Sequence, residues 1–186
     1  MNYNNLVIIK DNTIYYNKIE LELNNSILFN GIIINKEKFI NSFIKFLKQN
    51  KISTFFWNKE IIIVYDNNIS INDIKVINDI FIELNYKKIK LISDINLLDL
   101  SKNNYYLICL KNYKFIYVDE YNFKKVITFN FNNYTLKEIK KYILKRLKNK
   151  NLFIIGKCSI NFDDNINYYN LGKINEIFYQ KLNIGK

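Results

Sequence analysis

The chain has 186 residues, 49% hydrophobic and 24% charged, with a formal charge of +11, which describes a folded globular protein rather than a disordered one. At this length one domain or two small lobes bury enough surface to need neither disulfide nor metal. The absence of histidine excludes Ser-His-Asp and Cys-His catalytic pairs and any imidazole zinc site.

The predicted elements begin with β structure. Leu6 to Ile9 and Thr13 to Tyr16 are short branched and aromatic runs around a turn at Lys10-Asp11-Asn12, and Ile19 to Leu23 alternates apolar with acidic residues. Together they predict a three-stranded meander. Gly31 precedes a further apolar stretch, Ile32 to Ile34. From Lys36 to Gln49 the period becomes helical, with Phe39, Ile40, Phe43, Ile44, Phe46 and Leu47 on one side. Ile61 to Tyr65 reads as a buried strand. Ser70 and Asp73 then have capping-box spacing for a helix from Ile71 to Asn85 that is apolar around more than half its circumference. Lys88 to Ile92 is the next strand.

A second cycle follows. Tyr105 to Leu110, Tyr113 to Val118 and Lys124 to Phe131 are strand candidates; Thr135 and Glu138 frame a second capping box, and Leu136, Ile139, Ile143 and Leu147 line one helix face. Leu152 to Ile155 is a strand ending at Gly156, and Lys173 to Leu182 a short helix. Each half reads β-β-β-α-β-α, the order of a ribonuclease-H-like lobe of the actin and sugar-kinase superfamily. The fold class expected is therefore α/β with two ribonuclease-H-like, actin-like lobes, the first over residues 1–98 and the second over 99–186.

Ser70-Ile71-Asn72-Asp73-Ile74-Lys75-Val76 resembles the S-F-T-G-L-R-I portion of the signature of the TsaB family, the non-catalytic subunits of bacterial tRNA threonylcarbamoyladenosine synthesis. Ile92-Ser93-Asp94-Ile95-Asn96-Leu97-Leu98 is similar to that family's V-S-S-L-E-A-L. The glycines that lead the family signature are replaced by Asn67-Asn68-Ile69. The resemblance implies no catalytic residue, cofactor or metal of the chain's own. It implies heterodimerisation with a TsaD-type ATPase through the two helices of the first lobe. Apolar surface in excess of what one sheet needs points to the same helices, and Phe39, Phe43, Ile74, Lys75, Ile77 and Phe81 are the candidate contacts. Homodimers are also compatible with such a surface. A second resemblance, of Asn30-Gly31-Ile32-Ile33-Ile34-Asn35 and Asn85 to Ile92, is to bacterial actins such as MreB, FtsA and PilM, and implies a cytoskeletal or pilus scaffold. Those proteins hold ATP between two glycine-rich hairpins, whereas Lys10-Asp11-Asn12 and Leu110-Lys111-Asn112 contain no glycine.

Other site candidates are few. Cys109 and Cys158 lack CxxC spacing and are expected to be buried small hydrophobes, although Lys157 could lower the Cys158 thiol. Asp163-Asp164 and Asp119-Glu120 sit in predicted loops as solvated charge, and Phe55, Phe56 and Trp57 are expected to pack within a lobe. The helix after Thr135 is the most basic element. Lys140, Lys141 and Lys145 are its candidate RNA contacts, through which the complex would touch tRNA. Drift toward A/T-rich codons explains much of the lysine, since alanine is absent and Arg146 is the only arginine. No apolar run approaches roughly 18 residues, so a cytoplasmic protein without a membrane span is expected.

Overall fold

A computed structural model describes residues 5–53, 60–163 and 166–182. It divides into two compact units, one of Met1–Leu97 with Phe178–Lys186 and the other of Leu98–Ile177.

The first unit is built on a five-stranded sheet. β1 (Leu6–Lys10), β2 (Thr13–Tyr16) and β3 (Ile19–Glu22) form the antiparallel meander; a two-stranded hairpin, β4 (Leu28–Phe29) and β5 (Ile32–Ile33), follows it. After α1 (Lys36–Gln49) the chain adds β6 (Glu60–Tyr65) parallel to β1, and after α2 (Ile71–Glu83) it adds β7 (Lys88–Ser93) parallel to β6. The strand order is β3-β2-β1-β6-β7. β1 is central and its Leu6, Val7, Ile8 and Ile9 are all fully buried, which explains an uninterrupted apolar run rather than an alternating one.

The second unit repeats the plan with different residues. β8 (Asn104–Cys109), β9 (Tyr113–Val118) and β10 (Lys124–Phe129) form the meander; β11 (Asn151–Gly156) follows α3 (Leu136–Leu147), and a three-residue strand β12 (Tyr168–Asn170) completes the order β10-β9-β8-β11-β12. α4 (Ile174–Lys181) begins in this unit. Stacked rings of Tyr106, Phe153 and Tyr169, with centroids 5.2 and 5.0 Å apart, tie β8, β11 and β12 together on one face.

Local signals set the element ends. Ser70 accepts the Asp73 N–H and Asp73 accepts the Ser70 N–H, while Thr135 and Glu138 do the same for α3. The Thr135 N–H, first of all, holds the Glu138 carboxyl below its ordinary value. α2 ends in a Schellman motif: Asn85 is left-handed (φ +62°), the Tyr86 N–H donates to the Phe81 carbonyl at 3.1 Å and the Asn85 N–H to Ile82 at 2.8 Å. Asparagine takes the same left-handed role at Asn17 after β2, Asn30 between β4 and β5, and Asn122 between β9 and β10. With Gly31, Asn30 makes the Asn-Gly turn of a two-residue hairpin, a signal that marks β4 and β5 beside the single apolar stretch expected there.

The core corrects one expectation directly. Phe39, Phe43, Ile77 and Phe81 are essentially inaccessible, packed with Val7, Ile9, Ile14, Tyr16 and Ile63 in the core of their own unit. Phe43 makes edge contacts with Tyr16 and Phe81, at centroid distances of 5.8 and 5.7 Å. These four side chains therefore cannot present a docking surface. The broad apolar arc of α2 has an internal reason: the helix packs against α1, β5 and β7, three neighbours rather than one.

Candidate functional site

In the first unit the strand register converges charged side chains on one edge. Ile8 pairs with Val64 in β6 and Tyr65 pairs with Ser93 in β7, so the next residues outward along the three parallel strands are Lys10, Asp66 and Asp94, on one line at their carboxyl ends. Open α/β sheets present their ligand crevices at this end. Lys10 is 1% exposed and Asp94 fully buried, with Asp66 nearly so. The Lys10 Nζ donates to Asp66 Oδ2 at 3.2 Å and to Asp94 Oδ2.

Backbone donors complete the cluster. Asp94 Oδ1 accepts the Ile95 N–H at 2.8 Å and the Asn67 N–H at 3.2 Å, and Asp66 Oδ1 accepts the Asn68 N–H at 2.9 Å. Burial alone would push the Lys10 ammonium toward its neutral form. The charges of Asp94 and Asp66, and their hydrogen bonds, more than reverse that, so its pKa is raised and it stays protonated. The ammonium bridges the two carboxylates.

The equivalent line of the second unit has a different chemistry. Cys109, like Lys10, is the last paired residue before a hairpin turn; it lies opposite Gly156, whose N–H donates to the Gly172 carbonyl at 2.8 Å. Cys158 follows two residues after Gly156. Cys158, expected with Cys109 as an unrelated packing residue, packs against the buried cluster that contains Cys109.

A cleft of about 380 Å³ lies elsewhere on the second unit, lined by Lys102, Tyr105, Tyr117, Asp119, Lys145 and Arg146 among others. Of the candidate RNA contacts, only Lys145 lines it. Lys140 instead pairs with Asp163 at 3.1 Å, and Lys141 is exposed on α3. The Arg146 guanidinium stacks 3.6 Å from the centre of the Tyr142 ring.

The remaining candidates are placed as follows. Ile74 is half-buried against the first core and Lys75 is exposed. Asp119 accepts the N–H groups of Tyr121 and Phe123, which makes it a turn residue, and it pairs with Lys125 at 3.6 Å. Phe55, Phe56, Trp57 and Asp164 lie outside the described residues. Among the described residues there is no cluster of three or more metal-ligating side chains, and no helix is long and apolar enough to cross a membrane.

No protein-family model matches the chain, and no curated protein matches it in sequence. Solved structures do match in shape. The ethanolamine utilization protein EutJ from Carboxydothermus hydrogenoformans is 7% identical with a TM-score of 0.55, over 99% of this chain and 83% of its own. MreB5 of Spiroplasma citri, solved bound to AMPPNP, is 9% identical with a TM-score of 0.51, over 76% of this chain. The match spans 57% of the length of that MreB5 chain. The repeated five-strand order and these neighbours together show that the chain has the actin-like fold, with two ribonuclease-H-like units.

Proposed function

We propose that the chain is a non-catalytic subunit that docks on a TsaD-type ATPase and supports threonylcarbamoyladenosine modification of tRNA. The observation that carries this reading is the Lys10 cluster. The buried Lys10 ammonium bridges Asp66 and Asp94, and Asp94 has no solvent exposure, so these groups are engaged with one another rather than held open to a substrate. The nucleotide common to actin-like folds does not fit these residues either. The turn after β1 has no glycine to let backbone N–H groups approach a phosphate, and a triphosphate there would meet two carboxylates against a single ammonium, a net negative group.

On this reading the surface carries the function. Ile71, Lys75 and Ile82 recur at helical spacing on the side of α2 opposite the buried Ile77, Ile80 and Phe81, and Ile71 and Ile82 are 73% and 55% exposed. The TsaB-like segment Ser70 to Val76 forms the first turns of this same helix. An exposed apolar stripe on the helix that carries the resemblance supports heterodimerisation there. The basic cleft of the second unit is the surface through which the complex would touch tRNA.

Co-expression with the TsaD-type ATPase of the same organism tests the reading. A one-to-one complex should elute from size exclusion, and I71D together with I82D should weaken it at least tenfold while leaving the circular dichroism spectrum unchanged. Independent elution of the two wild-type proteins overturns it. Salt-dependent sedimentation of the chain alone would instead favour a degenerate bacterial-actin scaffold.

A further inference from the structure

The chain contains two cysteines, and the fold brings them together although β9, β10, α3 and β11 all intervene in sequence. Cys109 ends β8 and Gly156 ends β11; because these strands are parallel and in register, the chain leaves both at the same end of the sheet. Gly156 is left-handed (φ +92°), and a Cβ there would lie 2.3 Å from the Cys109 carbonyl oxygen. Only glycine permits so close an approach, and two residues later Cys158 packs against the buried cluster that contains Cys109.

A third group completes the cluster. The Tyr113 hydroxyl oxygen accepts the Ser159 N–H at 2.6 Å, which sets the hydroxyl beside the thiols, and its presence lowers the pKa of each. The two sulfurs are unequal. Cys109 is 3% exposed, and its thiol is pushed up first by the hydrogen bond to Cys158 and then by burial. Cys158 is only partly buried, and its thiol is lowered to about 7, first by the Cys109 bond and, more weakly, by the Ile160 backbone and the Tyr113 hydroxyl, against desolvation. The lowering comes from these groups rather than from the neighbouring Lys157.

We infer that Cys109 and Cys158 form a two-thiol redox site that reacts with low-molecular-weight disulfides, with Cys158 as the attacking sulfur and Cys109 as the resolving one. In the first step the Cys158 thiolate attacks one sulfur of an external disulfide. That S–S bond breaks, its electron pair leaves with the other sulfur, and the released thiolate takes up a proton. In the second step Cys109 attacks the Cys158 sulfur of the mixed disulfide, the second small thiol departs carrying the proton that Cys109 gives up, and a Cys109–Cys158 bond remains. Two protein thiols are oxidised and one external disulfide is reduced to two thiols. The site is independent of the docking face on α2 and does not rest on the partner reading.

Incubation of the full chain with glutathione and oxidised glutathione, followed by intact-mass measurement, tests the assignment. The wild-type chain should lose two hydrogens, carry no retained glutathione and return to the dithiol with dithiothreitol. C109S should instead trap one glutathione on Cys158, and C158S should take up glutathione at least tenfold more slowly. A wild-type chain that keeps bound glutathione without forming the internal disulfide, or that resists oxidation altogether, overturns the inference. Because the wild-type mass change is read directly, the test does not depend on either variant folding.

Discussion

Replacement of Lys10 by methionine isolates the energetics of the buried cluster. Methionine keeps much of the apolar stem but removes the ammonium, so Asp66 and Asp94 face each other in a site where Asp94 has no solvent exposure. Breaking a buried ion pair by deleting one partner costs about 3–5 kcal/mol. The backbone N–H groups of Ile95, Asn67 and Asn68 still serve one oxygen of each carboxylate, which favours the lower end of that range. About 3 kcal/mol is a large part of a typical stability of about 5–15 kcal/mol, and for a chain of this size it should lower Tm by about 6–12 °C. Urea titration followed by circular dichroism reads the difference.

The pH dependence distinguishes this mechanism from ordinary loss of packing. In the wild-type chain the folded-state pKa of Lys10 is raised above the ordinary 10.5. Its contribution is thus complete below that value and fades only as pH climbs through the folded-state value in strong alkali. In K10M the carboxylate charge left without its ammonium is relieved by protonation, so the penalty should shrink as the solution is acidified. A penalty below about 1 kcal/mol that does not vary with pH would refute the reasoning, because that is how a hydrated surface pair behaves.

Three further outcomes follow from the geometry. Alkylation of Cys158 by iodoacetamide should accelerate as pH rises through about 7 and then level off, with Cys109 reacting far more slowly; equal rates for the two would contradict the asymmetry of their surroundings. If tRNA is retained by the complex, K145E with R146E should weaken retention and flatten its salt dependence, whereas K140Q should change little because Lys140 is engaged with Asp163. Removing the helix caps with S70A and T135A should cost about 1 kcal/mol each and combine additively, since the two caps belong to different units.

Much of the scaffold was legible from sequence because its signals are local. α1 occupies Lys36–Gln49, the span its apolar period marks, and both capping boxes form at the residues whose spacing announces them. β12 was not legible, since Tyr168–Asn170 is three exposed residues without alternation. The surplus apolar residues of α2 were misread because periodicity counts the breadth of a greasy arc but not the number of neighbours that fill it. Lys10, Asp66 and Asp94 were invisible for a different reason: they sit on separate segments, and only the parallel register aligns them. A usable signal was nevertheless present, a charged residue just beyond the apolar core of each of three strands. The cysteine pair required the same register and the close approach that Gly156 allows.

The left-handed asparagines bear on which turns admit a side chain. Positions that many proteins reserve for glycine are held by Asn17, Asn85 and Asn122, whose short amide side chain is tolerated in an otherwise unfavourable backbone geometry. Gly156, crowded against the Cys109 carbonyl, had no such substitute. Steric room thus decides where a side chain is admitted: the exposed turns at Asn85 and Asn122 accept one, whereas the bend pressed against a neighbouring strand does not.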